Sequence, residues 1–385
     1  MSAAPSRAAS RYAAASCRRR VPLGRTLFPV PTGRGWGAAR GPRADGTARR
    51  RRFANFQDLT PWCLAVLVFL LAVGGCRQEP PARDPEAVTM AVSDSLGAAL
   101  VHIALAKGYF QAEGLDVTPQ VHTSGKACLD AVLSGRADLA TVADTPIVNA
   151  ALEGKRFSIL AEINTATRMN GIAARRDGGI ATGADLKGKV LGVTPGTTSA
   201  FFADLFLNLH GLRPRDVSLV PLPPEAMAPA LLEGRVDAVS TWQPHLTRIR
   251  NLLGDRGLLF YNDALYTFSF CLVAREGLTA RRPEAVRRVL RALVRAEELA
   301  AAQPEEARRL TAEFTKTERP LLDQVWGLFV FRTTLSQALL VNLEDQARWR
   351  KGQGLLKTTK TPDFPALVES DFLDSVKPGA VKFIR

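Results

Sequence analysis

The stretch "LSGRADLATVADTP" at 133–146 returns 99 residues later as "LEGRVDAVSTWQP" at 232–244. Both run Leu, one residue, Gly, Arg, one residue, Asp, an apolar patch, then Pro. Gly135 and Gly234 suit the left-handed position that closes a helix. Asp138 and Asp237 precede short apolar runs of the kind that form buried strands. Pro146 and Pro244 stand where a following helix begins. A chain that repeats helix end, buried strand and helix start must fold as two units of the same plan. Ligands of open α/β sheets gather beyond the carboxyl ends of the strands, so each copy predicts one wall of a cleft.

The surrounding pattern agrees. "VTMAV", "LDVTPQV", "ADLATVA" and "FSILAEI" predict strands, separated by the helical stretches "LGAALVHIALAKGYF", "GKACLDAVLSG" and "TPIVNAALEG". In the last of these, Thr145 is expected as N-cap and Pro146 at the first helical position. A second series follows: strands "KVLGVT", "DVSLVPL" and "VDAVSTW", with helices from "GTTSAFFADLFLNLHG" and "PEAMAPALLEG". Strands alternating with helices of this length predict an α/β fold with a mostly parallel sheet. In "RPEAVRRVLRALVRAEELAAA", Val286, Val289, Leu290, Leu293 and Val294 form one helix face. Arg287, Arg288, Arg291 and Arg295 form the other, expected to be solvated.

The net charge of +14 suggests nucleic acid until it is located. Residues 1–52 hold thirteen Arg and one Asp, a net of +12; with Asp58 also counted, the chain from Cys76 onward carries only +3. A near-neutral body removes the main argument for nucleic acid, which needs a basic surface on the folded domain. Residues 1–58 read as a disordered basic leader or an overlong translation start. Residues 59–76 read as an export signal, with twelve apolar residues from Trp62 to Val73 after "RRRRF". The run is short for a membrane span. It ends in Val73-Gly74-Gly75-Cys76, similar to the bacterial lipobox, which implies lipidation at Cys76. Residues 77–86 read as a Pro-rich tether. Cys128 and Cys271 lie singly in apolar contexts and read as buried small residues.

"KGYFQAEGLDV" (107–117), "LSGRADLA" (133–140), "GADLKGKVLGVTPGTTS" (183–199), "LLEGRVDAVSTWQPH" (231–245) and "WRKGQGLLK" (349–357) occur in that order. From about Val88 to the C-terminus the chain thereby resembles bacterial ABC-transporter substrate-binding proteins of the nitrate, sulfonate and taurine type, a group that includes binders of thiamine-pyrimidine precursors. The resemblance implies a periplasmic-binding-protein type II fold: two α/β domains joined by two crossover segments and closing on a ligand. Residues 87–174 and 270–385 would form domain I and residues 175–269 domain II, with crossings near "TRMNGIAAR" and "TFSFCLVAR". It implies a monomeric receptor outside the cytoplasmic membrane, with a permease and an ATPase as partners, no cofactor and no catalytic activity. Two rivals are a pyrimidine-synthase-like enzyme, whose Cys-rich motif has no counterpart here, and a ligand sensor.

An anion site without metal needs unpaired backbone N–H groups, hydroxyls and partial positive charge, which helix N-termini supply. The expected ligand-binding residues are Ser95, Ser124, Thr145, Gly196, Thr197, Thr198 and Ser199, each at a strand-to-helix corner. Ser93, Asp94, Thr123, Gly125 and Asp144 are their neighbours. Trp242 is expected to place a ring against the organic part of the ligand. Lys126, Asn164 and Tyr266 are weaker cleft candidates. His102, His122, His210 and His245 show no metal-ligand spacing, and no P-loop, G-x-S-x-G or H-E-x-x-H occurs.

Overall fold

Five short apolar runs give strands β1 (Glu86–Ser93), β2 (Leu115–His122), β3 (Leu139–Ala143), β4 (Phe157–Ala166) and β5 (Asn170–Arg175). Four more follow as β6 (Val190–Val193), β7 (Ser218–Pro221), β8 (Ala238–Trp242) and β9 (Gly257–Phe260). The last are β10 (Phe268–Arg275), β11 (Phe329–Ser336) and β12 (Val381–Lys382). The computed structural model describes residues 84–261, 266–352 and 361–383. The expected leader, the expected export signal with Cys76 and most of the expected tether lie outside the described residues. Glu86, the expected end of the tether, is the first residue of β1.

The strands form two sheets, ordered β12-β11-β4-β10-β3-β1-β2 and β7-β6-β8-β5-β9. The stretch β4-β10-β3-β1-β2 of the first repeats as β9-β5-β8-β6-β7 in the second. The doubled phrase is the visible trace of this repeat. Gly135 and Gly234 both take φ 75°, the left-handed value that ends a helix without Cβ strain. Asp138 Oδ2 accepts the Thr89 N–H at 3.1 Å, and Asp237 Oδ2 accepts the Val190 N–H at 2.8 Å. Each Asp thus pins its own strand to the next parallel strand. β3 and β8, which follow, are buried along their whole length. The edge strands β2 and β7 hold Pro119 and Pro221, tolerated where no ladder partner needs the N–H.

The halves exchange strands. β5 leaves the first half and pairs antiparallel with β8 of the second; β10 returns and pairs antiparallel with β3 of the first. This corrects the expected boundaries at 174/175 and 269/270. Residues 170–174 belong to the five-stranded sheet, and Phe268 and Ser269 to the seven-stranded one. A strand buried on both faces looks the same whichever sheet receives it, so local pattern placed each crossing a few residues late.

Helices α1 (Ala99–Ala106, preceded by the 3-10 turn Leu96–Ala98), α2 (Gly125–Leu133) and α3 (Asp144–Leu152) belong to the first half. The second half holds α4 (Thr198–Leu209), α5 (Pro224–Leu232) and α6 (His245–Leu253). α7 (Pro283–Ala302) and α8 (Gln337–Gly352) return to the first. The expected apolar face of α7 is buried at Val286, Val289, Leu290 and Leu293. Its arginines are tied down more than a solvated face requires. Arg291 pairs with Glu113 at 2.7 Å and Glu284 at 2.9 Å, and Arg295 lies 4.4 Å over the Tyr109 ring.

Candidate functional site

The cleft ends of both sheets meet at a narrow pocket with a cavity volume of about 20 Å³. Ser93, Ser95, Ser124, Gly125, Lys126, Ala143, Pro146, Phe268 and Phe270 of the first half line it, with Met169 of the crossing and Thr197, Thr198 and Trp242 of the second half. That is room for about one water molecule, so a solute enters only when the two halves part. Three helix beginnings converge here, capped by Ser95, Ser124 and Thr197. Each N-terminus favours negative charge by about 0.3–1 kcal/mol when exposed and up to about 2 kcal/mol when partly buried.

The hydroxyls divide by what they already hold. Ser95 Oγ accepts the Gly97 N–H at 3.3 Å, Ser124 Oγ the Ala127 N–H at 3.3 Å, and Ser93 Oγ the Ser95 N–H at 3.1 Å. Among the described residues, none of these three serines gives its own O–H hydrogen to a protein acceptor. Thr198 makes no side-chain hydrogen bond among them. Four O–H donors therefore remain for a ligand. Ser93 is fixed from behind by His102, whose Nε2 lies 2.8 Å from the Ser93 carbonyl oxygen. Burial pushes His102 down to about 4, so the ring is neutral and donates.

Phe270 forms the floor between two helix beginnings. A Cβ on Gly97 would stand 2.9 Å from the Phe270 ring. One on Gly125 would stand 2.8 Å from the Ala143 N and 3.2 Å from the same ring. Glycine at both corners is what lets the ring lie this close to the helix ends. Phe268 and Phe270 alternate along β10 and share a face. The period-two apolar signal of "YTFSF" marks that face, and sequence reasoning passed over it.

The structure brings Ser95, Ser124, Thr197, Thr198 and Trp242 to the one pocket and places the remaining expected residues elsewhere. Thr145 is not an N-cap: α3 begins at Asp144, and the Thr145 hydroxyl donates to Gln346 Oε1 at 2.8 Å. Ser199 Oγ donates to the Ser240 carbonyl at 2.6 Å and accepts the Thr194 N–H at 2.9 Å, so its hydroxyl is spent. Thr197 lines the pocket, yet its O–H goes to the Thr194 carbonyl at 2.8 Å. Gly196 sits at the cleft mouth, where its carbonyl accepts Asn149 Nδ2 of the other half at 3.3 Å. Lys126 lays its methylenes against Gly196 and pairs with Asp130 at 2.7 Å.

Tyr266 is also drawn away from the ligand. Its hydroxyl donates to the buried Asp144, which accepts further from Thr145 N–H at 2.7 Å, Ser269 N–H at 3.0 Å and Asn342 Nδ2 at 2.8 Å. Burial raises the Asp144 pKa despite these donors. Asp94, between the two lining serines, is pushed up to about 6 by burial and then by Glu225 of α5. Cys128 and Cys271 are buried free thiols, raised by loss of water, and neither lines the pocket.

Two α/β halves that exchange a strand and close on one cleft define the periplasmic-binding-protein fold, and solved structures share it. The alkanesulfonate-binding protein SsuA of Xanthomonas axonopodis pv. citri, bound to MOPS, superposes with a TM-score of 0.65 at 20% identity, over 75% of this chain and 99% of that one. The desulfurization enzyme DSZB superposes with 0.58 at 18% identity, over 76% and 98%. Residues 97–307, more than half of the chain, match the family described as NMT1/THI5 like, and the protein belongs to that family. A binding protein of Brucella abortus is 28% identical over 235 residues, 60% of this chain and 72% of the relative. A Bacillus subtilis relative named for aliphatic sulfonate binding is 26% identical over 271 residues, 68% and 80%.

Proposed function

We propose that the protein is the solute-capturing component of an ABC importer and holds a small organic anion of the sulfonate class between its two halves. The observation behind this is the set of four uncommitted O–H donors, from Ser93, Ser95, Ser124 and Thr198, beside three helix N-termini. A sulfonate presents three acceptor oxygens to such donors, and its organic part meets Trp242, Phe268 and Phe270. Lys126 is the one ionisable side chain among the described lining residues, and Asp130 already neutralises it. Helix dipoles then supply most of the positive potential, which suits a monoanion. Relatives named for sulfonate binding support the same reading.

Binding proceeds by closure. The open halves take up the anion, and closing removes water around it, which strengthens each hydrogen bond. The reading extends to a monomer outside the cytoplasmic membrane, lipid-anchored at Cys76 and delivering its solute to a permease and its ATPase. Capture without turnover is supported by relatives named as binding proteins. The flat aromatic walls favour one further solute, a thiamine-pyrimidine-like heterocycle.

A thermal-shift screen tests the ligand class. Alkane- and arylsulfonates, taurine, nitrate and aminopyrimidines are compared with neutral and cationic analogues of similar size. At about a hundredfold excess over Kd, a bound sulfonate should raise the melting temperature by roughly 4–6 °C. Shifts confined to neutral or cationic compounds refute the anion reading.

A further inference from the structure

Two asparagines stand at the cleft ends of the strands that flank the first crossing. Asn164, near the end of β4, is 0% exposed, and Asn170, opening β5, is 3% exposed. Asn164 Nδ2 reaches the Val330 carbonyl at 3.4 Å, but its Oδ1 has no partner. Among the described residues, Asn170 has no partner for either amide atom. Folded proteins leave few buried amide groups unpaired, because each unmade hydrogen bond forfeits the water it gave up.

Register shows where these amides face. Residues directly opposite in an antiparallel pair share a sheet face. Asn164 is opposite Phe270, and Asn170 is opposite Trp242. Both rings line the pocket. The amides therefore stand beside the aromatic walls on the same sheet faces, one layer behind the residues that line the pocket. Burial does not set them apart from the site, since the lining residue Ser93 is also 0% exposed. Asn149 repeats the pattern at the mouth: its Nδ2 bridges to Gly196 of the other half, and its Oδ1 is unpaired.

A carbonyl acceptor is left over at every one of these positions, and at Asn170 the Nδ2 donor as well. The hydroxyl corner offers donors to an anion; this second corner needs the opposite, a neutral or cationic N–H or an O–H. We infer that Asn164 and Asn170 form a second polar pole of the cleft, and that the captured solute presents an N–H or O–H donor to it in addition to its anionic group. The inference rests on the proposed capture of an organic anion and narrows it to amino- or hydroxy-substituted members.

Matched pairs that differ at one group separate the two readings. The purified protein is titrated calorimetrically with 4-aminobenzenesulfonate against 4-methylbenzenesulfonate, and with 4-aminopyrimidine against 4-methylpyrimidine. The amino sulfonate should bind about ten- to a hundredfold more tightly than its methyl counterpart. Asn164→Leu and Asn170→Leu should each erase that preference. Equal affinity within both wild-type pairs overturns the donor pole and leaves the anion reading standing. A preference seen only in the pyrimidine pair keeps the pole and removes the sulfonate. Binding of no compound overturns both. The wild-type pairs decide even where a leucine variant fails to fold.

Discussion

Ser199→Ala separates scaffold from site within the stretch "PGTTS". The Ser199 hydroxyl joins α4 to β8 through the Ser240 carbonyl and holds the Thr194 N–H of the preceding loop. Removing it leaves one buried acceptor and one part-buried donor without partners. At about 1–3 kcal/mol per buried group left unpaired, the loss should total about 2–4 kcal/mol. For a protein of this size that lowers the melting temperature by roughly 4–8 °C. Solute affinity should stay within about twofold, because the lost hydrogen bonds point into the fold. Thr198→Val is the counterpart: a near-isosteric change to an uncommitted hydroxyl, expected to melt within about 2 °C of wild type. It should weaken binding of a sulfonate about tenfold, the value of one hydrogen bond to a charged group. Melting curves and titrations of both variants provide the check. If Ser199→Ala loses more than tenfold in affinity with unchanged melting, the division of these hydroxyls is wrong.

Two further outcomes follow from other parts of the chain. Burial pushes Glu162 up to about 7, although Ser336 and Ser269 donate to it at 2.9 and 3.1 Å. Its folded pKa lies above its unfolded value near 4.5, so its contribution is full below that value and is lost as pH rises toward 7. Glu162→Gln should therefore gain stability relative to wild type between pH 5 and pH 8, by at most about 3 kcal/mol; a stability difference that is flat across this range refutes the assignment. Cys76→Ser should abolish incorporation of labelled palmitate in a bacterial host, and unchanged labelling sinks the proposed anchor.

Much of the scaffold was legible because it is local. A helix end that needs a left-handed residue shows as Gly135 and Gly234. A strand that must be pinned at its start shows as Asp138 and Asp237. The corners bearing Ser95, Ser124 and Thr197 follow from short-range cap preferences. What each hydroxyl does with its proton is not local. Thr145 is claimed by Gln346, 201 positions away, and Ser199 by Ser240, 41 positions away. No window of neighbouring residues contains those partners, so Thr145, Ser199 and Thr198 look alike in sequence and differ in the fold. The strand exchange is hidden for a similar reason: the pairing of β5 and β10 is decided by which sheet has an open edge beside β8 or β3.

The ends of the repeated phrase show how one plan yields an asymmetric site. Four helices begin at the cleft in positions suited to an anion, and one of them supplies its own. Asp144, the first residue of α3, takes the Thr145 N–H and the Ser269 N–H that a bound anion would otherwise meet. It also binds the hydroxyl of Tyr266, whose ring packs edge-on against Phe201 of α4 at 5.3 Å. A ligand-like carboxylate thus serves as an internal tie between α3, the returning strand and the second half. The equivalent end in the second copy has no carboxylate; it has Trp242, whose ring lines the pocket. Three helix beginnings remain for the solute, two from the first half and one from the second. Positive potential is therefore concentrated on one side and apolar surface divided between both. That distribution favours a solute with a single charged end and a flat body over a compact, symmetric anion such as nitrate, which would leave Trp242, Phe268 and Phe270 without a partner.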